Sequence, residues 1–440
     1  MSIFKAYDIR GIYPKEINED LAYKLGRAFV TFLNVKKIVV SRDMRLSGKA
    51  LANALIKGLT DQGADVIDIG LSSTPMHYFA NNFLKVDGSV MITASHNPPE
   101  FNGFKLNREK AIPISEFTWI KEIEVLVKKN KFKESKKGKL QKKDVLNDYI
   151  NHVTKSVKTV NKNLKIIADA GNGMAGLACD KILSKLGIKL EKMYFKLDGK
   201  FPNHEANPLK DKNVKEIKER VKKEKFDLGI AFDGDADRVF FIDEKGEKVP
   251  SDFIIALFAQ ELLKKHPNEI IMNDLRTSKI IKETVEANKG KSLMSRVGHV
   301  FFKQLMRKKD GLFAGELSGH YYFRDNFYTD SGIFATVKLI EIMSKHNKSL
   351  LELVKPFKKY FQSGEINAEV KDKKGKLKEI EKHFKDGKHL HIDGLSVYYK
   401  DWWFNIRPSN TEDLLRLNIE ADSKGLMEEK KEELLRLIKK

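Results

Sequence analysis

The sequence has almost no cysteine. Cys179 is the only one among 440 residues, which excludes an internal disulfide framework and fits a reducing cytosol. It lies in the helical pattern 177–183, so we expect a buried thiol. The chain also lacks a run of 18 apolar residues that could span a membrane. Lys5, Asp8 and Arg10 interrupt the apolar region that a signal peptide would need, and we therefore predict a cytoplasmic protein.

The chain is short of acidic charge. Lys and Arg number 82 against 61 Asp and Glu, and the formal net charge is +21. A strongly basic chain can bind nucleic acid. Here, however, the lysines are scattered and do not form one block with interleaved aromatic residues. We interpret most of them as a solvated surface. A basic nucleic-acid-binding module is the alternative, and steeply salt-dependent binding to arbitrary DNA would support it.

Apolar strands followed by polar turns and helices recur along the chain. The pattern is seen at residues 38–43, 166–171 and 270–276, and hydrophobic residues make up 41% of the sequence, enough for real cores. Such alternation predicts βαβ units with mostly parallel or mixed sheets. A helix is predicted over 50–62, closed by Gly63. The lysine-rich composition of residues 128–143 predicts a solvated connection between two units.

The last part of the chain has a different pattern. Strand-like runs occur at 390–392, 397–399, 402–406 and 414–421, and an amphipathic helix is predicted over about 424–439. We therefore predict an α/β protein with three diverged α/β units in mixed sheets and a C-terminal α+β domain.

A serine stands directly after an apolar run in the stretch Val90–Lys105. Thr93-Ala94-Ser95-His96-Asn97-Pro98 is small, polar and ends in proline, which predicts a turn that presents the Ser95 hydroxyl. A serine hydroxyl becomes a useful nucleophile only beside a base or cation. His96 is adjacent, and Lys105 is expected in the same loop. An ordinary surface turn is the alternative.

Three aspartates alternate in Asp233-Gly234-Asp235-Ala236-Asp237. Mg²⁺ prefers hard oxygen ligands and keeps positions for phosphate oxygens, so this turn, expected to face solvent, predicts a magnesium site. The spacing also fits the start of an EF-hand, with Glu244 at its twelfth position. However, Arg238 stands at the sixth position, where an EF-hand needs glycine, and the flanks look like strands. A polar turn without metal is the other alternative.

The stretch Gly315–His320 offers a carboxylate and a hydroxyl two residues apart. On an extended loop, Glu316 and Ser318 would point the same way, which suits vicinal sugar hydroxyls. His320 could act as a general base. A packed or exposed histidine without a catalytic role is the alternative.

The stretch Arg407-Pro408-Ser409-Asn410-Thr411-Glu412 offers a guanidinium, hydroxyls, an amide and backbone N–H groups. Together these groups predict a phosphate cradle. Ser409 and Glu412 also have the spacing of a helix capping box. Residues 414–419 look more like a strand than a helix, which weakens that alternative.

Four stretches together resemble the α-D-phosphohexomutases, the family of phosphoglucomutases and phosphomannomutases. They are residues 93–98, 233–238, 315–320 and 407–412, in the family's order, so the resemblance covers nearly the whole chain. It implies four domains, at 1–140, 150–247, 250–360 and 365–440, that meet at an active site in a central cleft. The first three would carry the serine, metal and sugar loops, and the fourth the phosphate loop.

The resemblance also implies a mechanism. Ser95 would carry a phosphoryl group, and its oxygen would join Asp233, Asp235 and Asp237 around Mg²⁺. Hexose 1,6-bisphosphate would be the intermediate and activator. The remaining catalytic candidates are His96, Lys105, Arg10 and His320, and the last two are unranked candidates for proton transfer.

The implied substrate contacts come from all parts of the chain. They are Tyr7, Arg238, Arg276, His299, Glu316, Ser318, Arg407, Ser409, Asn410 and Thr411. Arg276 falls where many members carry lysine, and the two side chains are not interchangeable.

The predicted function is the interconversion of hexose 1-phosphate and hexose 6-phosphate. We expect mannose or glucose before glucosamine, because Leu317 stands where glucosamine-handling relatives typically show glutamine. Residues 319–325 also resemble the phosphomannomutase pattern. A phosphoglucosamine mutase is the alternative. Small sugar phosphates are the expected partners of a monomer or dimer, without nucleic acid or membrane.

A nicotinamide-dependent oxidoreductase is an alternative from another class. Gly171-Asn172-Gly173-Met174-Ala175-Gly176 is a G-x-G-x-x-G between a strand and a helix, and Glu191 follows 20 residues on. However, Asp169 and Ala170 intervene before the glycines, and Glu191 lies inside a strand-like run. Nothing else in the chain suits hydride transfer.

Overall fold

The computed structural model describes residues 3–409 and 413–439. Contacts between residues divide the chain into two compact units. The first comprises Met1–Val249, Phe302–Phe313 and Ser318–Leu353, and the second comprises Pro250–Phe301, Ala314–Leu317 and Val354–Lys440.

The first sheet of the first unit is mixed and has six strands. Its region contains β1 (Ile9–Ile12), α1 (Glu19–Leu33), β2 (Lys37–Arg42), α2 (Gly48–Asp61), β3 (Asp65–Leu71), α3 (Thr74–Phe83), β4 (Gly88–Ile92), β5 (Phe101–Arg108), α4 (Ile120–Lys129) and β6 (Leu140–Lys142). The strand order is β1-β5-β4-β2-β3-β6. Strands β4, β2, β3 and β6 are parallel, and β5 runs antiparallel to β4 and β1.

Helix α1 shows how the sequence pattern builds this region. The Asn18 side chain accepts a hydrogen bond from the Leu21 N–H (2.9 Å), which caps the start of the helix. Its apolar face buries Leu25 and Phe29 in a core shared with β2 and β4. The predicted helix over 50–62 is α2, and Gly63 follows it with φ +99°, the conformation expected of a terminating glycine.

Part of the segment predicted as a solvated connection is a strand of this sheet. Residues 140–142 are exposed, as expected, but they form β6 and pair with β3, with Leu140 opposite Val66. Edge strands commonly carry exposed lysines. A lysine-rich composition therefore does not distinguish an edge strand from a solvated connection.

The second sheet of the first unit has four strands. Its region contains α5 (Leu146–Lys155), β7 (Ile166–Asp169), α6 (Ala175–Lys185), β8 (Leu190–Met193), α7 (Lys215–Glu224), β9 (Leu228–Phe232) and β10 (Val239–Ile242). The order is β10-β9-β7-β8, and only β10 is antiparallel to its neighbour. Cys179 is buried in α6, as predicted, and burial raises the pKa of its thiol to about 12.

The following region continues the alternation of helices and strands. It contains α8 (Ser251–Lys265), β11 (Ile270–Asp274), α9 (Lys279–Ala287), β12 (Lys291–Ser295), α10 (His299–Lys309), β13 (Phe313–Gly315), β14 (Tyr321–Phe323), β15 (Thr329–Asp330), α11 (Gly332–His346) and α12 (Leu350–Val354). In the second unit, β11 and β12 are parallel. In the first unit, β14 and β15 are antiparallel.

The C-terminal region of the second unit is an antiparallel sheet with two helices. It contains β16 (Phe361–Gln362), β17 (Ile366–Glu369), α13 (Lys373–His383), β18 (Lys388–Leu390), β19 (Leu395–Tyr398), β20 (Trp402–Pro408), β21 (Leu414–Ala421) and α14 (Lys424–Lys439). Both helices pack on the sheet through an apolar cluster that includes Ile380, Phe404 and Leu434. No helix within residues 3–409 and 413–439 combines the length and hydrophobicity needed to cross a membrane.

The second unit buries an acidic side chain at the start of α8. Asp252 is fully buried and accepts hydrogen bonds from the Ser278 N–H (3.1 Å) and from Nε2 of Gln362 (2.9 Å). Gln362 also donates to the buried carboxylate of Glu420 (3.2 Å). Burial, together with the charges of Glu420 and Asp274, raises the pKa of Asp252 to about 7.

This carboxyl makes stability depend on pH. Its folded pKa lies above its unfolded value, so the folded state binds the extra proton and stability falls as pH rises toward 7. We expect Asp252→Asn to gain stability relative to wild type between pH 5 and pH 8, by roughly 2–3 kcal/mol at about 1.4 kcal/mol per pKa unit. Thermal unfolding at both pH values measures the difference. The exposed Asp401→Asn is the control, and an equal effect of pH on both variants would contradict the prediction.

Candidate active site

Ser95 lies in a tight turn at the end of β4, as predicted. The φ angle of Ser95 is +49°, a conformation that is uncommon for residues other than glycine. The residue is buried, with a relative exposure of 3%. The hydroxyl donates to Oδ2 of Asp233 (2.9 Å) and lies 3.0 Å from Nδ1 of His96. Burial, with Arg238 and Arg10 nearby, lowers the pKa of His96 well below its usual value, so the imidazole is neutral at pH 7.

The buried guanidinium of Arg45 binds the backbone of this turn. Arg45 donates to the carbonyl oxygens of Ser95 (2.9 Å), Asn97 (2.6 Å), Pro98 (2.6 Å) and Phe101 (2.8 Å). The Arg45 side chain also lies 3.3 Å from the buried Asp43 carboxylate. Because guanidinium presents five donors in a rigid fork, one side chain can bind several carbonyls at once. Arg45 therefore fixes the backbone that presents Ser95.

Lys105 is not in the serine loop, contrary to our prediction. It lies within β5, opposite Met91 of β4, because the chain turns back at residue 101 and pairs with the preceding strand. Its ammonium group contacts Oδ2 of Asp235 (2.8 Å) and Oδ2 of Asp237 (2.6 Å). These carboxylates raise the pKa of Lys105 well above its usual value although burial opposes the charge.

The three aspartates lie in the turn between β9 and β10. These are antiparallel strands, so the EF-hand alternative, which needs helices on both sides, is wrong. The expected exposure of the turn is also wrong, since Asp233, Asp235 and Asp237 are all buried. Its second residue must be small, because a Cβ on Gly234 would lie 2.4 Å from the Ser95 carbonyl oxygen. The metal loop and the serine loop therefore touch through their backbones.

The aspartate cluster fits a hard cation. One carboxylate oxygen from each of Asp233, Asp235 and Asp237 lies within 4.8 Å of the others. Oδ1 of Asp235 and Oδ1 of Asp237 are buried without a hydrogen-bond donor. Burial and the charges of Asp237 and Asp235 raise the pKa of Asp233, as expected for close carboxylates that lack a full counter-charge. Three oxygen ligands in one loop match the preference of Mg²⁺.

His320 and Arg238 lie beside this cluster in the first unit. Nε of Arg238 donates to Nε2 of His320 (3.0 Å), and the Arg238 N–H donates to Oδ1 of Asp233 (3.1 Å). Arg10 donates through NH1 to Oδ1 of Asn97 (2.6 Å), beside the Ser95 turn, and also pairs with Asp8. Both predicted candidates for proton transfer therefore lie close to the Ser95 and aspartate loops. Tyr7, half-buried, precedes β1.

The second unit holds a cluster of arginines with acidic partners. Arg276 is buried and binds Asp274 through two nitrogens (3.1 and 2.8 Å). Arg276 and Arg407 both contact Oε2 of Glu365, at 3.4 and 3.0 Å. Burial and the neighbouring charge of Arg276 lower the pKa of Arg407. Arg276 is paired with Asp274 and Arg407 shares the half-buried Glu365 carboxylate, so Arg407 is the better placed of the two guanidiniums to bind a phosphate.

The sugar-loop residues are only partly as predicted. Glu316 is buried, and its Oε2 accepts from the Gly298 N–H (3.1 Å), next to His299 at the start of α10. The segment is not extended: Leu317 and Ser318 form a turn, because the Leu317 N–H donates to Oδ2 of Asp274. The expectation that Glu316 and Ser318 point the same way depended on an extended segment, so the structure does not support it.

The predicted phosphate loop joins two antiparallel strands. β20 ends at Pro408, and the Ser409 N–H donates to the Leu414 carbonyl (2.8 Å) as β21 begins. A strand follows the loop, so the helix-capping alternative is wrong. Ser409 is buried beside Arg407, whereas Asn410 and Thr411 lie outside the described residues.

Four residues of the site escaped the sequence analysis. Arg45 supports the serine turn, and Thr74 donates through its hydroxyl to Oδ2 of Asp235 (2.6 Å). Asp330 and Lys303 form a buried pair beside His320. Only Thr74 had a local signal: Ser73 caps α3, and the Ser-Thr-Pro sequence directs Thr74 into the first turn.

Four family descriptions match successive parts of the chain. Residues 1–134, 147–246 and 250–360 match "Phosphoglucomutase/phosphomannomutase, alpha/beta/alpha" domains I, II and III. Residues 365–437 match the C-terminal domain of the same family. The chain belongs to this family. The predictions of a multi-domain α/β fold and of a phosphohexose mutase, an enzyme of the isomerase class, are thereby confirmed, and the oxidoreductase alternative is not favoured.

Individual relatives match over nearly their whole length. The chain is 43% identical over 447 residues to the phosphomannomutase of Methanocaldococcus jannaschii, covering 100% of this chain and 98% of the relative. It is 41% identical over 454 residues to that of Escherichia coli K12, covering 100% and 99%. A crystal structure of a phosphoglucomutase/phosphomannomutase family protein from Burkholderia thailandensis matches with TM-score 0.92 and 32% identity, covering 99% and 97%.

Proposed function

We propose that the enzyme interconverts the 1-phosphate and 6-phosphate of mannose or glucose with Ser95 as the phosphoryl carrier. The observation that supports this most directly is the setting of the Ser95 hydroxyl. It is held 2.9 Å from Asp233, in a buried turn that contacts the metal loop, with His96 at 3.0 Å. A structural serine in a surface turn needs none of these neighbours.

The reaction consists of two phosphoryl transfers in opposite directions. A sugar hydroxyl oxygen bonds to the phosphorus on Ser95, the bond from phosphorus to Oγ breaks, and Oγ gains a proton to become a hydroxyl. The product is a hexose 1,6-bisphosphate, whose other phosphate then returns to Ser95 by the same exchange of bonds. The protein contributes mainly position and charge neutralisation, as is general for phosphoryl transfer.

His320 is better placed than Arg10 to remove the proton from the attacking hydroxyl. A guanidinium stays protonated and has no acceptor. In His320, by contrast, Nε2 accepts a hydrogen bond from Arg238, so this nitrogen carries a lone pair. An imidazole nitrogen that carries a lone pair can act as a general base. Arg10, through Asn97, would instead hold the phosphoserine turn.

Mg²⁺ would be held by Asp233, Asp235 and Asp237 together with an oxygen of phospho-Ser95. When bound it would supply a positive charge beside the transferring phosphoryl group. The chain already provides part of that charge, since Lys105 contacts Asp235 and Asp237.

Metal dependence is testable by removal and return. We expect dialysis against a chelator to abolish turnover and added Mg²⁺ to restore it, because the three buried carboxylates outnumber Lys105 and Arg238, the two cations paired with them. Steady-state assays before and after Mg²⁺ addition measure the effect. The control is Asp401→Asn, which changes an exposed carboxylate of the second unit. Full activity in excess chelator would contradict the role.

The arginine cluster of the second unit supports binding of a sugar phosphate. Arg407, beside Arg276 and Ser409, offers guanidinium and hydroxyl donors that suit a phosphate without recognising the sugar ring. We propose that this cluster binds the phosphate that is not transferred. We further propose a division into four domains at 1–140, 150–247, 250–360 and 365–440, with the sugar specificity residues at 316–318.

One assay tests the substrate proposal. Mannose, glucose and glucosamine 1-phosphates are compared in a coupled assay with a catalytic amount of hexose 1,6-bisphosphate. We expect kcat/KM for mannose or glucose to exceed that for glucosamine, in keeping with Leu317 and with relatives named phosphomannomutase. A higher value for glucosamine phosphate would favour the phosphoglucosamine mutase alternative.

A further inference from the structure

The glycine motif at residues 171–176 has no role in the reaction proposed above. It joins β7 to α6, where a dinucleotide-binding protein presents backbone N–H groups to a pyrophosphate. Here those groups already donate within the protein. The N–H groups of Gly171, Asn172, Gly173 and Met174 donate to Oδ1 of Asp169 (2.7 Å) and to the carbonyl oxygens of Tyr194 (2.8 Å), Ala170 (2.7 Å) and Gly234 (2.9 Å), respectively. The motif therefore has a different use in this chain.

The turn at residues 171–174 contacts the aspartate loop. Strands β7 and β9 are parallel neighbours, so the turn after β7 and the loop after β9 begin at the same edge of the sheet. A Cβ on Gly173 would lie 2.7 Å from the Gly234 carbonyl oxygen and 2.9 Å from the Gly234 Cα. The Met174 N–H binds the same carbonyl. Only glycine allows two backbones to approach this closely.

Gly234 passes this contact on to the Ser95 turn. A Cβ on Gly234 would lie 2.4 Å from the Ser95 carbonyl oxygen, so the aspartate loop has the glycine turn and the Ser95 turn as close main-chain neighbours. All three segments belong to the first unit. Main-chain atoms cannot move aside by changing rotamer, and close-packed interiors transmit strain. A displacement of the glycine turn is therefore passed to the metal ligands and the serine.

A fourth segment, residues 194–204, anchors the glycine turn. Asn172 has a left-handed φ of +57°, its side chain donates to the Lys196 carbonyl oxygen (2.8 Å), and its Oδ1 accepts from Asn203 (2.8 Å). Oδ2 of Asp169 lies 2.8 Å from Nε2 of His204. These contacts hold the turn independently of the aspartate loop, so it can act as a fixed support.

We propose that Gly173 is a positioning residue, which sets the place of the Gly234 backbone and thereby of the Asp233 and Asp235 carboxylates. The inference rests on the proposed roles of Ser95 and the aspartates. Mg²⁺ demands near-ideal octahedral geometry, so carboxylates that have moved by a fraction of an ångström bind it less well. The glycine motif thus serves phosphoryl transfer without touching substrate or metal.

Gly173→Ala tests this role. The added methyl group meets main-chain atoms of Gly234 and must displace the aspartate loop. We expect the Kd for Mg²⁺ to rise about 10- to 100-fold, the usual cost of disturbing the support of metal ligands. We expect kcat to fall by roughly 10²-fold, as for a displacement of about 1 Å, while KM for the sugar phosphate changes little. Calorimetric titration of the metal-free protein with MgCl₂ and steady-state kinetics measure these effects. A folded variant with the wild-type Kd for Mg²⁺ would overturn the proposal.

Gly246→Ala is the matched control. Gly246 lies in the turn that follows β10, at the end of that strand remote from the aspartate loop. A Cβ there would lie 2.5 Å from the Lys218 carbonyl oxygen, an equally close main-chain contact, at φ +79°. We expect a lower unfolding temperature with wild-type Mg²⁺ affinity and kcat. If Gly246→Ala weakens Mg²⁺ binding as much as Gly173→Ala, the loss reflects general instability and the proposal is wrong.

A second variant covers the case in which circular dichroism shows that Gly173→Ala does not fold. Asn172→Gly keeps the left-handed conformation without strain but removes the two side-chain hydrogen bonds that anchor the turn. We expect a Kd for Mg²⁺ about fivefold higher, equivalent to one lost hydrogen bond, and slower phosphorylation of Ser95 by hexose 1,6-bisphosphate. Wild-type values of both would overturn the proposal. A wild-type protein without mutase activity would instead refute the proposed function.

Discussion

Ser95→Ala is expected to lose mutase turnover by several orders of magnitude. On the proposed mechanism the variant cannot form the phosphoenzyme, so the covalent route is closed while the proposed binding groups, which include Arg238 and Arg407, remain. Intact-mass analysis after incubation with a hexose 1,6-bisphosphate should find one phosphate on wild type and none on the variant. The fold should survive, since the change removes one hydroxyl that donates to Asp233 (2.9 Å).

The matched control is Ser135→Ala. Ser135 lies on the exposed segment between α4 and β6, and its substitution should leave turnover and the single phosphate unchanged. A phosphopeptide that maps to a residue other than Ser95 would contradict the assignment. So would a Ser95→Ala enzyme that still converts the sugar phosphate at an appreciable fraction of the wild-type rate.

Arg45→Lys is expected to impair both stability and catalysis although it keeps the charge. Lysine has three donors on a point charge and cannot replace a fork that binds four carbonyls and faces Asp43. Loss of two or three net hydrogen bonds predicts a free energy of unfolding lower by roughly 2–3 kcal/mol, at about 1 kcal/mol each. A displacement of the turn by about 1 Å would lower kcat by roughly 10²-fold.

Chemical denaturation and steady-state kinetics measure the two effects of Arg45→Lys. The rate of Ser95 phosphorylation by bisphosphate should fall with kcat, because both depend on the position of the serine. Arg220→Lys is the control: Arg220 is partly exposed on α7, where it pairs with Glu191 and Glu224, and its replacement should change neither quantity noticeably. A folded Arg45→Lys enzyme with wild-type kcat would show that the turn needs no such support.

The chain's local patterns predicted its elements well. The amphipathic pattern placed the last helix at 424–439, where α14 lies, and the strands on both sides of Asp233–Asp237 distinguished a hairpin from an EF-hand. These features depend on neighbours in sequence. The edge strand β6 was not predicted, because its three residues are all exposed and show no alternation of apolar and polar side chains.

Features that depend on distant partners were not predictable in the same way. Three carboxylates in five residues suggested an exposed turn, but Lys105, 130 residues before Asp235, supplies a counter-charge and permits burial. Nothing near Arg45 in the sequence indicates that it reaches carbonyls 50 to 56 residues later. Likewise, the pairing of Asp330 with Lys303 and His320 exists only once the fold has formed.

The backbone at Ser95 bears on why this position holds serine and not threonine. Both hydroxyls can carry a phosphoryl group, so chemistry alone does not choose between them. The positive φ of +49° does, because a β-branched side chain is seriously strained in this region, whereas a serine adopts it at moderate cost. An added methyl group would also have to be accommodated at a buried position, since Ser95 has a relative exposure of 3%. In this architecture the identity of the proposed phosphoryl carrier is therefore constrained by main-chain conformation, before any requirement of the reaction is considered.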